Sequence, residues 1–230
     1  MLLHLTKGVE MRSQYLFALP FFAMAAMATP AAAADEDFEF WLSPSVEFDL
    51  DDDTAIEVET AQRFRDAGNG RVDTYFARLW LKQDVGNGIT LAGGLERRIN
   101  DGGRNEVRVM QQASLSSGIF RARLRLEERF QQDRDGRMGL RLRPRAGVSF
   151  PLGDDGRWSA GTSAELFWTL RSNSPGGDTG ITGLRTQVGV DYEVSDNLEL
   201  GLTFLRQQDF EAGAPDEIAY APVIGIEFSF

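Results

Sequence analysis

The chain has no cysteine and a single histidine, His4, in 230 residues. The missing thiols exclude a disulfide scaffold, thiolate zinc sites, cysteine nucleophiles and lipidation at an N-terminal cysteine. Lysine is almost absent too: Lys7 and Lys82 are the only two among 24 basic residues, and the rest are arginine. Acidic residues number 35, so the formal net charge is −11, which argues against nucleic acid as a partner. Mean hydropathy is −0.28. The only long apolar run lies near the N-terminus, which excludes a bundle of membrane-spanning helices.

That run, Leu16 to Ala34, follows a short basic start at Met11-Arg12-Ser13. It is broken by Pro20 and Pro30 and ends in small residues, Ala32-Ala33-Ala34, before Asp35. This is the layout of a cleaved secretory signal, with cleavage between Ala34 and Asp35. A transmembrane anchor fits less well, because the run is interrupted and ends in small residues. Met11 is a second candidate start for the 1–34 segment. Removal of this leader takes away His4, Lys7, Arg12 and Glu10, which leaves 22 basic and 34 acidic side chains in residues 35–230. A mature chain without imidazole lacks the usual general base near neutral pH and the preferred ligand of zinc, copper and nickel. It therefore reads as non-enzymatic, with no catalytic residues, no metal site and no cofactor. Carboxylate-only catalysis and calcium binding survive the test.

The mature chain alternates with a period of two. From 137 to 152 one face reads Met138, Leu140, Leu142, Pro144, Ala146, Val148, Phe150, Leu152, and the other Arg137, Gly139, Arg141, Arg143, Arg145, Gly147, Ser149, Pro151. A helix would scatter these residues around its axis, whereas a strand separates them. The pattern predicts eleven strands: 38–50, 54–66, 71–83, 88–98, 105–115, 119–130, 137–152, 157–171, 182–194, 198–208 and 217–230. Their length is about twice the ~5–6 residues of a soluble strand and meets the ~9–11 of a tilted membrane-crossing one. Short turns (Asp51 to Asp53, Asp84 to Asn87, Ser116 to Gly118, Gly153 to Gly156, Ser195 to Asn197) alternate with longer links. That is the periplasmic/exterior asymmetry of outer-membrane barrels.

The expected fold is therefore all-β: a transmembrane, antiparallel, up-and-down barrel of about 10–12 strands in the outer membrane of a Gram-negative bacterium. Bacterial single-chain barrels have an even strand number, so ten or twelve is expected rather than the eleven counted. The chain ends Gly225-Ile226-Glu227-Phe228-Ser229-Phe230. Gly225, Phe228 and Phe230 resemble the assembly signal of such barrels, with Val223 where a polar residue is usual. The resemblance implies the outer-membrane barrel assembly machinery as a partner. The opening Phe40-Trp41-Leu42-Ser43, the pair Leu81-Lys82 before a short turn and the Arg/Glu-rich central strands are similar to an uncharacterised family of bacterial outer-membrane proteins known only as a domain of unknown function. That resemblance implies a barrel and no assigned activity.

With the apolar face toward membrane lipids and lipopolysaccharide, the other face lines the lumen. Strands six and seven supply its basic wall (Arg121, Arg123, Arg125, Arg129, Arg141, Arg143, Arg145). Strands one and two supply its acidic wall (Glu47, Asp49, Glu57, Glu59). In a ring of about eleven these walls lie nearly opposite, so a narrow lumen closes as a salt-bridged plug and a wet one carries a transverse field. The arginines read either as polar filler or as an anion-attracting wall. Trp41, Trp80, Trp158, Trp168, Tyr75, Tyr192 and Tyr220 are candidates for an interfacial girdle, although Trp80 points inward in this register. Functionally the sequence points to a narrow pore or a structural membrane protein. The alternatives are a surface-binding barrel whose acidic loops recruit cations or a partner, and a carboxylate-only membrane enzyme.

Overall fold

The computed structural model describes residues 35–67, 70–133 and 136–230. Ala34 lies outside the described residues. The chain forms eleven long strands and one short one: β1 (Asp35–Asp49), β2 (Thr54–Ala67), β3 (Gly70–Arg71), β4 (Thr74–Asp84), β5 (Ile89–Asn100), β6 (Glu106–Ser117), β7 (Phe120–Gln131), β8 (Met138–Leu152), β9 (Trp158–Arg171), β10 (Gly180–Ser195), β11 (Leu198–Asp209) and β12 (Glu217–Ser229). β3 only extends the end of β2 through Asp66↔Arg71 and Ala67↔Gly70. Each of the eleven long strands pairs with two other long strands, and the sheet closes because β1 pairs with both β2 and β12.

The barrel has eleven strands, so the expectation of an even number is corrected. The consequence is geometric. In a meander each strand reverses direction, so with an odd count the first and last strands run the same way. All the ladders between long strands are antiparallel except β1–β12, which is parallel from Asp35↔Glu217 to Glu47↔Ser229. β1 therefore begins at the end that carries the longer loops, and β12 finishes at the end that carries the short turns. Parallel pairing is slightly weaker per residue. Here the last residue reinforces it: the Phe230 N–H donates to Glu47 O, and Phe230 O accepts from the Asp49 N–H.

Pro44, Pro222 and Pro144 each interrupt one ladder and leave the other intact. Pro44 pairs with Ile226 on the β12 side, while the β1–β2 ladder skips from Leu42↔Gln62 to Ser45↔Glu59. Pro222 pairs with Phe204, and the β1–β12 ladder skips from Phe38↔Tyr220 to Trp41↔Val223. Pro144 pairs with Leu124, and the β8–β9 ladder skips from Leu142↔Trp168 to Arg145↔Glu165. A residue without an N–H can sit in a closed barrel only where one neighbour forgoes that bond. The register shift in β8 itself lies at Leu140/Arg141, not at the proline.

The short turns follow from their residues. Gly86, Asn87 and Gly88 all adopt positive φ (83°, 56° and 72°), which glycine and asparagine tolerate best. In the β1–β2 turn the Asp53 N–H donates to the Asp51 carboxylate at 3.0 Å. That bond holds the Asp51 carboxyl below its ordinary pKa.

Candidate functional site: the barrel interior

Burial is inverted relative to a water-soluble protein. Among the described residues thirty-five large apolar side chains are exposed, from Phe38 to Phe230 and on every long strand. Eight apolar residues are buried, against twelve polar or charged ones, among them Glu96, Glu127, Arg108 and Glu165. The alternation of each strand sends its leucines, valines and phenylalanines outward and its arginines and glutamates inward.

At mid-height the interior is filled by ions and rings. Glu127 on β7 is fully buried. It accepts from Arg143 Nη1 at 2.6 Å and Arg141 Nη2 at 2.8 Å, with Arg108 Nη1 at 3.8 Å. Glu165 on β9 holds Arg143 Nη2 at 2.6 Å, Arg123 through a short bond, and Arg185 at 3.7 Å. Glu96 on β5 holds Arg78 at 2.5 Å, Arg98 at 3.1 Å and Arg108 at 3.3 Å. Three carboxylates thus each gather three guanidiniums, and Arg108 and Arg143 link one cluster to the next. Arginine suits this use because its fork can serve two acceptors at once.

Rings occupy the space between the clusters. The Arg63 guanidinium lies 3.8 Å over Trp41 and Arg125 lies 4.8 Å over Trp80. Phe167 is covered by Arg141, Arg143 and Arg185 at 4.8–5.1 Å. Such contacts satisfy a desolvated cation without a second carboxylate. Two of them reach well across the barrel: Arg125 on β7 meets Trp80 on β4, and Arg185 on β10 lies 5.2 Å from Trp41 on β1. Trp80 fits only because Gly94 stands opposite it on β5; a Cβ there would sit 2.4 Å from the indole.

The residues singled out in the sequence fall at several levels. Arg125 is buried and gives Nε and Nη2 to Gln112 Oε1 at 2.8 and 2.7 Å. Arg129 forks onto Glu106 at 2.8 and 2.9 Å. Arg145 donates to Ser163 Oγ at 3.0 Å. Arg121 sits exposed at the short-turn end and donates to the Gly118 and Phe120 carbonyls. Of the acidic group, Glu47 and Glu57 share Lys82, Glu59 pairs with Arg78 at 2.5 Å, and Asp49 is exposed at the short-turn rim.

The two walls do not pair across the lumen. Among the described residues no ion pair within 4.0 Å joins a β7 or β8 arginine to a β1 or β2 carboxylate; the pairing runs sideways, between strands of the same wall. The image of a plug made by opposed walls is corrected in that respect. The carboxylates that carry the network, Glu96, Glu127 and Glu165, had a legible signal, since each falls on the inward face of its strand: Glu96 between Gly94 and Arg98, Glu127 between Arg125 and Arg129, and Glu165 between Ser163 and Phe167.

The aromatic residues divide by face. Trp41 and Trp80 are buried inside, which removes them from the girdle; Trp41 donates its indole N–H to Glu39 through a short bond. Trp158 and Tyr192 pack against each other beside the short turns, with centroids 4.5 Å apart and planes tilted by 35°. Phe76, Phe167 and Leu205 belong to the interior. Their signal was a large apolar residue interrupting a polar face.

Gly225 faces Gly201 on β11, and a Cβ on it would come no nearer than 3.8 Å to that strand. Phe228 and Phe230 stack at 6.5 Å, and Phe230 stacks on Phe48 of β1 at 5.8 Å, so the terminal ring spans the parallel seam. Phe230→Ala is expected to cost about 0.5–1.5 kcal/mol for the lost ring pair, beyond the area it buries. Urea unfolding of the refolded barrel measures it, and an unchanged midpoint would mean that the seam does not depend on this ring.

One family model, described as "Protein of unknown function (DUF2490)", matches residues 38–218, which include all of β2 to β11 and most of β1. The chain belongs to the DUF2490 family. No curated protein matches it. The matched range ends at the start of β12, so the seam strand and its terminal aromatics lie beyond the part that defines the match to DUF2490.

Proposed function

We propose that this DUF2490 protein is an outer-membrane β-barrel of a Gram-negative bacterium, with its interior closed at mid-height, that serves as a structural or solute-binding membrane component. The observation that carries this reading is the inverted burial: an apolar band on every long strand around a charged interior. Soluble monomers rarely expose apolar patches beyond a few hundred Å². Strands of 11–16 residues suit a tilted crossing. In this reading the leader is cleaved after Ala34, and the short turns and the C-terminus face the periplasm. The terminal strand is what the assembly machinery recognises, and lipid and lipopolysaccharide surround the wall.

The filled mid-section favours a closed barrel over an open pore. Cation recruitment by the acidic loops gains little support, because two of those carboxylates are engaged in holding the loops themselves. Asp178 accepts from the Ala212 N–H at 3.1 Å and Asp216 from Gln208 at 2.6 Å.

The test is fractionation of cells that express the full chain. The protein is expected in the detergent-extracted outer-membrane fraction, with heat-modifiable gel migration and a mature mass that begins at Asp35. In a planar bilayer the purified protein is expected to give no stable conductance steps. A folded protein freely soluble without detergent overturns the membrane assignment, and ion-selective steps overturn the closed interior.

A further inference from the structure

Below the filled mid-section the inward side chains become small. On β8 to β11, toward the short turns, they are Gly147, Ser149, Gly161, Ser163, Gly189 and Thr203. They leave a cavity of about 390 Å³ that reaches Gly88 and Ser116 beside the short turns. Small-molecule sites typically enclose ~300–1,000 Å³. The lining mixes apolar surface with three arginines and several hydroxyls, and that mixture and the limited volume suit a compact solute that carries polar groups.

The charges around this cavity are unbalanced. Arg121, Arg123 and Arg145 line one wall, and Arg123 stands directly opposite Arg145 in the β7–β8 ladder. Like charges facing each other across a ladder are destabilising. Glu165, which pairs with Arg123, already serves Arg143 and Arg185 as well; Asp191, the carboxylate in the lining, is on β10 and accepts from Ser159 at 3.4 Å, with no arginine within 4.0 Å among the described residues. Among the described residues Arg145 has no carboxylate within 4.0 Å and gives its Nε to Ser163. The Arg123 Nε is buried without a hydrogen-bond partner, and Arg121 is engaged only by main-chain carbonyls. Across the cavity stand Gln187, Thr203 and Asp191, a set that can exchange hydrogen bonds with hydroxyl groups but offers no further positive charge.

We infer that this half-lumen cavity binds a small hydroxylated oxyanion, with its acidic group between Arg123 and Arg145 and its hydroxyls toward Ser163, Gln187 and Asp191. The ligand supplies the countercharge that the protein itself leaves out. A cation pair in a low-dielectric interior is costly until it is neutralised. The inference needs only the folded barrel, so its failure leaves the membrane assignment standing.

The experiment is calorimetric titration of the full-length mature protein, folded in detergent, with gluconate, acetate and glucose. Gluconate is expected to bind saturably, and acetate and glucose, which lack the hydroxyls or the charge, more weakly. Arg145→Gln should weaken gluconate by about tenfold or more, the worth of one charge-assisted hydrogen bond. Ser149→Phe, which fills the cavity and keeps every charge, should abolish binding. Arg137→Gln, just before the start of β8 at the longer-loop end, where Nε donates to Ser172 O, should leave it unchanged. Heat-modifiable migration reports folding of each variant, and Ser149→Phe decides the matter if Arg145→Gln does not fold. The proposal is overturned if gluconate does not saturate, if acetate or glucose binds as tightly, or if folded Ser149→Phe or folded Arg145→Gln keeps wild-type affinity.

Discussion

Glu127→Gln is expected to lower the unfolding free energy of the barrel by about 3–5 kcal/mol, the range seen when one partner of a buried ion pair is removed. The substitution keeps the shape of the side chain, so loss of packing contributes little. What changes is that the guanidiniums of Arg141 and Arg143, at 2.8 and 2.6 Å from the carboxylate, lose their countercharge in a fully buried position, with Arg108 close by. Arg143 retains Glu165, but Arg141 has no second carboxylate among the described pairs, so the greater part of the cost falls on Arg141. Urea unfolding in detergent micelles, followed by tryptophan fluorescence, gives the number. Glu193→Gln, on an exposed rim residue, is expected to stay within about 0.5 kcal/mol of wild type, as ordinary surface substitutions do. If the two variants unfold alike, water reaches the mid-section and the interior is not closed.

The second large effect concerns the outside. Leu202 lies in the middle of β11, faces outward and is 55% exposed, with Val190 and Ile224 beside it on the neighbouring strands. Leu202→Arg is expected to cost about 2–4 kcal/mol in a lipid bilayer, the penalty for arginine at the midplane of a barrel wall. The same change on a water-facing surface stays within about 0.5 kcal/mol. The difference follows from the surroundings alone: hydrocarbon offers the guanidinium neither water nor a partner. Refolding into vesicles with a urea titration separates the two cases. A variant as stable as the wild type would mean that the apolar face of this strand meets water or another protein surface, and the membrane assignment would fail with it.

The parallel seam connects these predictions to the chain's architecture. Eleven strands leave β1 with one antiparallel and one parallel neighbour, and both of its ladders carry a proline gap, at Pro44 and at Pro222. The ladders of β1 are therefore interrupted more than most in the barrel. The rings of Phe48 and Phe230, together with the main-chain bonds of Phe230, close the short-turn end of that seam. This gives the terminal aromatic residue a role in the folded barrel besides any role in assembly.

Strand positions and facing were determined by the sequence alone. A period of two over a dozen residues admits one partition into faces, and a one-residue slip would exchange the arginines of β8 with its leucines, so the register has no near alternative. The turns were legible for the same local reason, through Gly86-Asn87-Gly88 and the run Asp51 to Asp53. Closure is not local. Whether β1 meets β12, and in which direction, depends on the parity of all eleven strands together, and no segment carries that information by itself. Ion pairing in the lumen likewise had to wait for the tertiary structure: the order and register of the strands place Glu127 beside Arg143 and keep the β7 and β8 arginines away from Glu47 and Glu57. Period-two alternation states which side of the wall a charge is on, and only the closed ring decides which charge it meets.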